Sequence, residues 1–368
     1  MRSEWGSQPK AAPAPPLLHS GPLSTVIVGY GRAGRELHHA ALREAAAVGP
    51  SGIRSAEVIA VDPRRPADLP EGTRWVEGTD RLSRLAALDP DRTVFHLTTP
   101  PAGRLSVLRE LLDLGARAVI VEKPFAVTHQ EARHIAAAAA SAGAHLIPVA
   151  VWPSSEVTRR LEEELSGLGP LQGLWMEQSK PRVPRADGTG DGHRSTFDVE
   201  MPHQLVLALH LAGEVEHIVS AVVEALPLRG RELPALGGAR LVLKHRSGVV
   251  SELLSDFTVS QRYRSLTALA ARGWGRAGYP LSAAHPRGTF ESSRRPAAVS
   301  LPDRPLTRFL ADAYSFLTGR SDQRPPGTCV DLHIHATALL ESAARMAGVE
   351  AGPTTQDTTP RTPEEASA

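Results

Sequence analysis

The chain has 368 residues, more than one hydrophobic core usually serves, so two domains are expected. Its 41 Lys and Arg stand against 40 Asp and Glu; the net charge of +1 argues against a nucleic-acid or membrane surface as main partner, and an aromatic content of 4% leaves few stacking platforms for single-stranded nucleic acid. The one cysteine, Cys329, excludes an internal disulfide framework and a cysteine-rich metal site and fits a reducing, cytoplasmic setting.

Residues 1–22 are rich in Pro, Ala and Ser and residues 351–368 in Thr, Pro and Glu, both without a period, so both read as disordered tails. Pro and Ala at 11–16 also interrupt what would be the apolar centre of a signal peptide. Strand patterns at 25–29, 57–61, 93–97, 117–121 and 145–151 then alternate with helix patterns at 33–47, 80–87, 103–114 and 128–142. Such alternation predicts an α/β domain over 23–150, a doubly wound parallel sheet covered on both faces. Residues 135–155 contain no Asp, Glu, Lys or Arg, but alanine, His145 and Pro148 mark a helix running into a strand rather than a membrane span.

Beyond Val151 the pattern changes. A helix at 154–165, a strand at 172–179, a glycine-rich loop and a helix at 198–212 precede strand runs at 216–226, 239–245, 248–257 and 264–270. Strands following one another without helices predict an open, mainly antiparallel sheet in an α+β domain over 151–350, closed by helices at 304–318 and 329–347.

The first strand, Thr25-Val26-Ile27-Val28, runs into Gly29-Tyr30-Gly31-Arg32-Ala33-Gly34. In this GxGxxG, Gly29 allows the tight turn, Gly31 lets the backbone approach a pyrophosphate, and Gly34 lets the helix pack on the strand. The phosphates would rest on the helix N-terminus, where backbone N–H groups and the dipole favour anions. The second strand ends at Asp62, 28 residues past Gly34, whose carboxylate would accept the adenosine ribose hydroxyls and favour NAD. Arg64 and Arg65 follow at once and could pair with a 2′-phosphate, which keeps NADP open. Thr98, Thr99 and Pro100 close the strand facing the dinucleotide, and Glu122-Lys123-Pro124 ends another apolar run.

Taken in order, GYGRAG at 29–34, TTPPAGR at 98–104, EKPFAVT at 122–128, LSGLGPL at 165–171, a helix with His203 followed by LAGEVEHI at 211–218, and LTG at 317–319 resemble the Gfo/Idh/MocA family of glucose-fructose oxidoreductases and inositol dehydrogenases, from about residue 24 to 350. The resemblance implies a Rossmann domain followed by a substrate-binding and oligomerisation domain, paired into a homodimer or homotetramer through the open sheet face. It implies a nicotinamide-dependent oxidoreductase moving hydride to or from a hydroxyl or keto carbon of a sugar, sugar nucleotide or cyclitol. Reduction of an imine or a double bond on the same scaffold, and a non-catalytic dinucleotide sensor, are the alternatives.

The resemblance also puts Lys123 at the junction of nicotinamide and substrate, with Glu122 orienting it and a cis bond typical before Pro124. His203 falls where the family has its second catalytic group, and imidazole suits proton transfer. The family places an aspartate four residues earlier, where this chain has Val199; Asp198 and Glu200 flank that position. Glu200 lies three residues from His203 and would share its helix face, although Pro202 is adjacent. A family histidine is replaced by Arg104, Trp152 is placed to stack on a sugar ring or to pack at a domain boundary, and His210 reads as a core or interface residue. In the loop 180–194, Lys180, Arg182, Arg185 and Arg194 could grip a substrate phosphate or carboxylate. HExxH, a P-loop and GxSxG are absent, and the pairs His38-His39 and His333 with His335 lack metal-ligand spacing on a helix, so no metal is expected.

Overall fold

The computed structural model describes residues 20–48, 52–181, 195–228 and 231–349. Residues 1–19 and 351–368 of the expected tails lie outside the described residues.

The first sheet contains β1 (Leu23–Val28), β2 (Ile53–Val61), β3 (Thr73–Val76), β4 (Thr93–Leu97), β5 (Ala118–Val121) and β6 (His145–Pro148), all parallel in the order β3-β2-β1-β4-β5-β6. This is the doubly wound order whose direction reverses between β1 and β4, where a crevice opens beyond the strand ends. β4 and β5 are buried at every position, as their apolar runs require of strands covered on both faces. A π-helical segment, Arg32–His39, leads into α1 (Ala40–Val48); α2 (Arg104–Asp113) and α3 (His129–Ser141) are the next covering helices. The helix expected at 80–87 is a 3-10 segment, Thr79–Arg84, because the stretch between Gly78 and Pro90 is too short to sustain an α-helix. β3 escaped the sequence pattern because four residues show too little alternation.

After α4 (Glu156–Ser166), the second sheet joins β7 (Leu171–Ser179), β8 (Val215–Leu228), β9 (Arg231–His245), β10 (Val250–Asp256), β11 (Tyr263–Ala270), β12 (Gly273–Gly278), β13 (Arg287–Ser292) and β14 (Arg295–Pro302) in the order β14-β13-β12-β11-β7-β10-β9-β8. Every pairing is antiparallel except β10 with β7. β12 was hidden by its glycines, yet one of them has a packing reason: a Cβ on Gly275 would lie 2.5 Å from Leu161 Cδ1 of α4. β14 was hidden because almost all of it is exposed and no face alternates.

One face of this sheet packs on α4, α5 (Met201–Ala212) and α7 (Val330–Met346) through a core that includes Leu174, Met176, Leu205, Leu253 and Leu332. The other face leaves Trp175, Val222, Leu254 and Leu269 exposed. α6 (Pro305–Leu317) returns to the first sheet, where Phe309, Leu310, Tyr314 and Leu317 are buried against Leu23, Ile27, Ile120 and Ile147. Each such side chain contributes about 1.5–3 kcal/mol by leaving water. No helix among the described residues is long and apolar enough to cross a membrane.

Candidate active site

The glycine turn is built as its sequence requires. Gly29 has φ +90°, and a Cβ there would lie 2.7 Å from Thr99 N. A Cβ on Gly34 would come within 2.5 Å of Gly29 O and 2.8 Å of Ile27 Cγ2, so only glycine lets the helix sit this close to β1. Gly31 faces open space, with nothing within 4 Å of its virtual Cβ. The helix starts after Gly31 with no side-chain cap, which leaves its N-terminal amides to an incoming anion. An open approach at the middle glycine and an uncapped helix end fit a dinucleotide pyrophosphate.

Thr98 ties β4 to this turn, donating from Oγ1 to Val28 O at 3.0 Å and Gly29 O at 2.7 Å. Thr99 is half-buried, Pro100, Arg32 and Gly31 are exposed, and Ala33 is half-buried. Arg32 pairs with Glu36 at 3.6 Å. The Tyr30 side chain turns into the core, where its hydroxyl bonds His39 Nδ1, so it does not line the crevice. Asp62 sits just past β2; its Oδ1 accepts the Arg64 N–H at 3.0 Å and its carbonyl accepts Trp75 Nε1 at 3.0 Å. Arg64 and Arg65 are exposed beside it, with the Arg65 guanidinium 5.9 Å from the Trp75 ring centre.

At the end of β5 the Lys123-Pro124 bond is cis. Lys123 N–H donates to Glu122 Oε2 at 2.7 Å, and Lys123 Nζ donates to Val199 O at 3.2 Å. The turn is clamped from below by Arg104, only 1% exposed, whose guanidinium donates to Glu122 O at 2.6 Å, Phe125 O at 3.2 Å, Thr99 O at 2.5 Å and also Pro124 O. Desolvation by burial lowers Arg104 to about 10 against the pull of Glu122 and Glu131, so it stays charged at neutral pH. Arg104, which stands where the resemblance expected a histidine, therefore fixes the shape of the Lys123 turn.

Glu122 Oε1 faces His38 Nε2 at 3.0 Å. Burial works to raise this carboxyl, but the bond and charge of His38, with Lys123 and His203, bring it down to about 2. Across the cleft, α5 begins at Met201 and Pro202 occupies its first turn, where the missing N–H costs nothing. Glu200 is thus the residue before the helix and does not share His203's face as expected; its carboxylate turns to Lys180 Nζ and lies 3.8 Å from Arg264 Nη2. Burial would raise Glu200, yet Lys180, Lys123 and Arg264 bring it down to about 2. Burial, then Lys123, drive His203 down to about 3, against the opposing pull of Glu200 and Glu122, so its imidazole is neutral at pH 7.

Lys123, Asp198 and His203 line one cleft, together with Trp152 and, from α7, His333, Thr337 and Glu341. Trp152 is 5% exposed, packed on Tyr279 at 4.5 Å with the Arg264 guanidinium 5.2 Å from its ring and the His203 ring 5.9 Å away. That burial makes Trp152 a wall of the cleft and denies a sugar ring its face. His210 is half-buried against Glu162 at 3.1 Å. Arg182, Arg185 and Arg194 lie outside the described residues. Sequence reasoning missed Thr337 and Glu341 of α7, while His333 and His38 registered only as failed metal pairs.

Residues 23–149 match the sequence model of the "Oxidoreductase family, NAD-binding Rossmann fold", GFO_IDH_MocA. Over this region, about a third of the chain, the sequence is similar to the Gfo/Idh/MocA oxidoreductases. The matched region is accordingly an NAD-binding Rossmann domain, consistent with NAD or NADP as cofactor. No curated protein matches the sequence. Among solved structures, the chain is similar to the UDP-N-acetylglucosamine 3-dehydrogenase GnnA from Acidithiobacillus ferrooxidans, at 20% identity and a TM-score of 0.69 over 88% of this chain and 97% of that one. It is also similar to the 3-ketoreductase KijD10 from Actinomadura kijaniata, solved with TDP-benzene and NADP, at 15% identity and a TM-score of 0.67 over 89% of this chain and 98% of that one. At such identities the likeness extends to the fold over both sheets.

Proposed function

We propose that this chain is an NAD(P)-dependent oxidoreductase that moves hydride to or from a hydroxyl or keto carbon of a sugar, sugar nucleotide or cyclitol. The observation that carries the reading is Lys123: it stands just past the C-terminal end of β5, two strands from the β1 end that carries the glycine turn, and opens into the same cleft as His203 and Asp198. We take 23–150 as the dinucleotide-binding domain and 151–350 as the substrate and assembly domain, with α6 tying the second to the first. GnnA and KijD10, a sugar-nucleotide dehydrogenase and a ketoreductase by name, support the substrate class. The exposed apolar face of the second sheet supports a homodimer or homotetramer.

When bound, the nicotinamide supplies or accepts the hydride. Gly29, Gly31 and Gly34 shape the turn that receives the pyrophosphate, and Asp62 accepts from the adenosine ribose, which favours NAD over NADP. Lys123 donates a hydrogen bond to the reacting oxygen and moves the proton there, lowering the cost of alkoxide character. His203, neutral before substrate arrives, holds the same or a neighbouring hydroxyl and takes a proton only where negative charge develops beside it. Asp198 lines the same wall and accepts from a substrate hydroxyl.

The test is to titrate the purified protein with NADH and with NADPH separately, then to follow absorbance at the reduced-nicotinamide band with sugar nucleotides and cyclitols. Tight NADH binding with turnover that Lys123→Ala removes is the expected result. Binding with no turnover on any such substrate would favour a sensor, and binding of neither dinucleotide would sink the reading.

A further inference from the structure

A chain of buried polar groups runs through the first sheet and ends on the Lys123 turn. Thr25 Oγ1 on β1 lies 2.6 Å from Tyr314 OH on α6, Tyr314 OH lies 3.0 Å from His96 Nε2 on β4, and His96 Nδ1 lies 2.7 Å from His38 Nδ1. His38 Nε2 then reaches Glu122 Oε1 at 3.0 Å, and Glu122 Oε2 accepts the Lys123 N–H at 2.7 Å. Thr25, His38, His96 and Tyr314 are each at most 1% exposed. The π-helical widening after the glycine turn makes this possible, because it sends two consecutive histidines inward, His38 to Glu122 and His39 to Tyr30.

We propose that His38, His96 and Tyr314 are positioning residues for the oxidoreductase reaction, a relay that holds Glu122 as an oriented carboxylate and thereby sets the Lys123 turn. The inference rests on the assignment of Lys123 given above.

The donor count supports it. With His38 neutral, each group has one partner in one direction: Thr25 O–H donates to Tyr314, Tyr314 O–H to His96 Nε2, His96 Nδ1–H to His38 Nδ1, and His38 Nε2–H to Glu122. With His38 protonated, the bonds beyond it reverse, Tyr314 donating to Thr25, and the Nε2–H bond to Glu122 is unchanged. The carboxylate therefore keeps its donor in either state, and hydrogen bonds arranged head to tail polarise one another. Burial and the neighbouring His38 push His96 well below the ordinary histidine range, and burial raises Tyr314, so neither ionises in place of Glu122. The remaining titratable groups facing Glu122 are Lys123, the neutral His203 from α5 and Arg104 from α2, and none of them bonds the carboxylate oxygen that His38 holds.

A decisive experiment uses the full chain with carboxyl-labelled glutamate and follows the Glu122 resonance, identified by its loss in Glu122→Gln, in wild type, His38→Leu, His38→Gln and Tyr314→Phe. The wild-type resonance should not titrate between about pH 4 and pH 8, whereas in His38→Leu it should titrate within that range because burial is no longer offset. His38→Gln, which keeps an amide donor near the Nε2 position, should restore the wild-type behaviour. In turnover, kcat/KM of His38→Leu should fall on the order of 10- to 100-fold at pH 6, as for loss of an outer partner of a site residue, and recover toward wild type at pH 8. Tyr314→Phe should fall about fivefold, the worth of one neutral hydrogen bond. A Glu122 resonance that titrates identically in wild type and His38→Leu overturns the relay, whether or not a substrate has been found. A shifted resonance with an equal loss of activity at every pH overturns its role in the reaction and leaves a structural bond only. Tyr314→Phe, which changes one hydroxyl, keeps the test open where His38→Leu fails to fold.

Discussion

Lys123 Nζ donates to the backbone carbonyl of Val199 across 3.2 Å, joining the end of β5 to the turn that precedes α5. A peptide carbonyl accepts a hydrogen bond but takes no proton, so this contact fixes the lysine without competing for its charge. One of three donors is used, and the others remain for the cleft. The valine that departs from the family's aspartate thus still supplies an acceptor to the lysine, through its main chain.

Lys123→Ala should remove that donor set from the cleft while sparing the glycine turn. The expected result is a fall in kcat of about 10²- to 10⁴-fold, the usual worth of a positioned proton-transfer group, with NADH affinity within a few-fold of wild type. Steady-state rates beside a fluorescence titration check both halves, and a parallel loss of dinucleotide binding would instead place Lys123 in the cofactor cradle.

The three glycines should separate by function. Gly31 has φ −78° and open space around its virtual Cβ, so Gly31→Ala should fold with a stability within about 0.5 kcal/mol of wild type and lose dinucleotide affinity. Gly34→Ala must displace Gly29 O or Ile27, and overpacking of this kind costs about 1–3 kcal/mol. Urea denaturation in the absence of dinucleotide should therefore rank Gly34→Ala well below Gly31→Ala, while NADH titration finds both impaired.

Arg104→Met fills similar space but removes the clamp on the carbonyls of Glu122, Pro124, Phe125 and Thr99. Buried acceptors left unpaired make this an expected loss of about 3–5 kcal/mol, roughly 10 °C in Tm. Arg104→Lys should recover little, because an ammonium cannot span carbonyls on two sides as the planar guanidinium does. Thermal unfolding of the two variants decides it.

The parallel sheet was legible in the sequence because β-branched runs such as Thr25-Val26-Ile27-Val28 alternate with helix patterns, and GxGxxG states its own geometry. Gly273, Gly275 and Gly278 concealed β12, since their use is to admit α4 and the neighbouring strand, a tertiary reason invisible to local propensity. Within the candidate site, Lys123 and His203 could be named from motif order, and both reach the cleft. Arg104 and Tyr314 could not: a buried arginine is recognised only by the carbonyls it meets, and Tyr314 joins His96 across 218 positions of sequence. Glu200 misled because its helix, expected from residue 198, begins three residues later at Met201.

Stability should fall as pH drops below neutrality, and the sign follows from the histidines. Burial holds His333 at about 4; burial and Lys123 hold His203 at about 3; His96 is also displaced well below its ordinary value. All three regain values near 6.5 on unfolding, so between about pH 6.5 and pH 4 the unfolded chain binds more protons than the folded one. Each such group steepens the decline by at most about 1.4 kcal/mol per pH unit. Below about pH 4.5, Glu122 and Glu200 act in the same direction, because their depressed carboxyls contribute stability above that pH that is lost as pH falls toward about 2. Asp303 and Asp312 oppose this above their ordinary carboxyl range, since burial raises both and the folded chain then holds their protons more tightly than the unfolded one. Urea midpoints should therefore be flat above about pH 7 and fall steeply from pH 6.5 to 4.5, with a shallower fall in His333→Asn. A midpoint unchanged across that interval would mean that the buried imidazoles accept protons without unfolding.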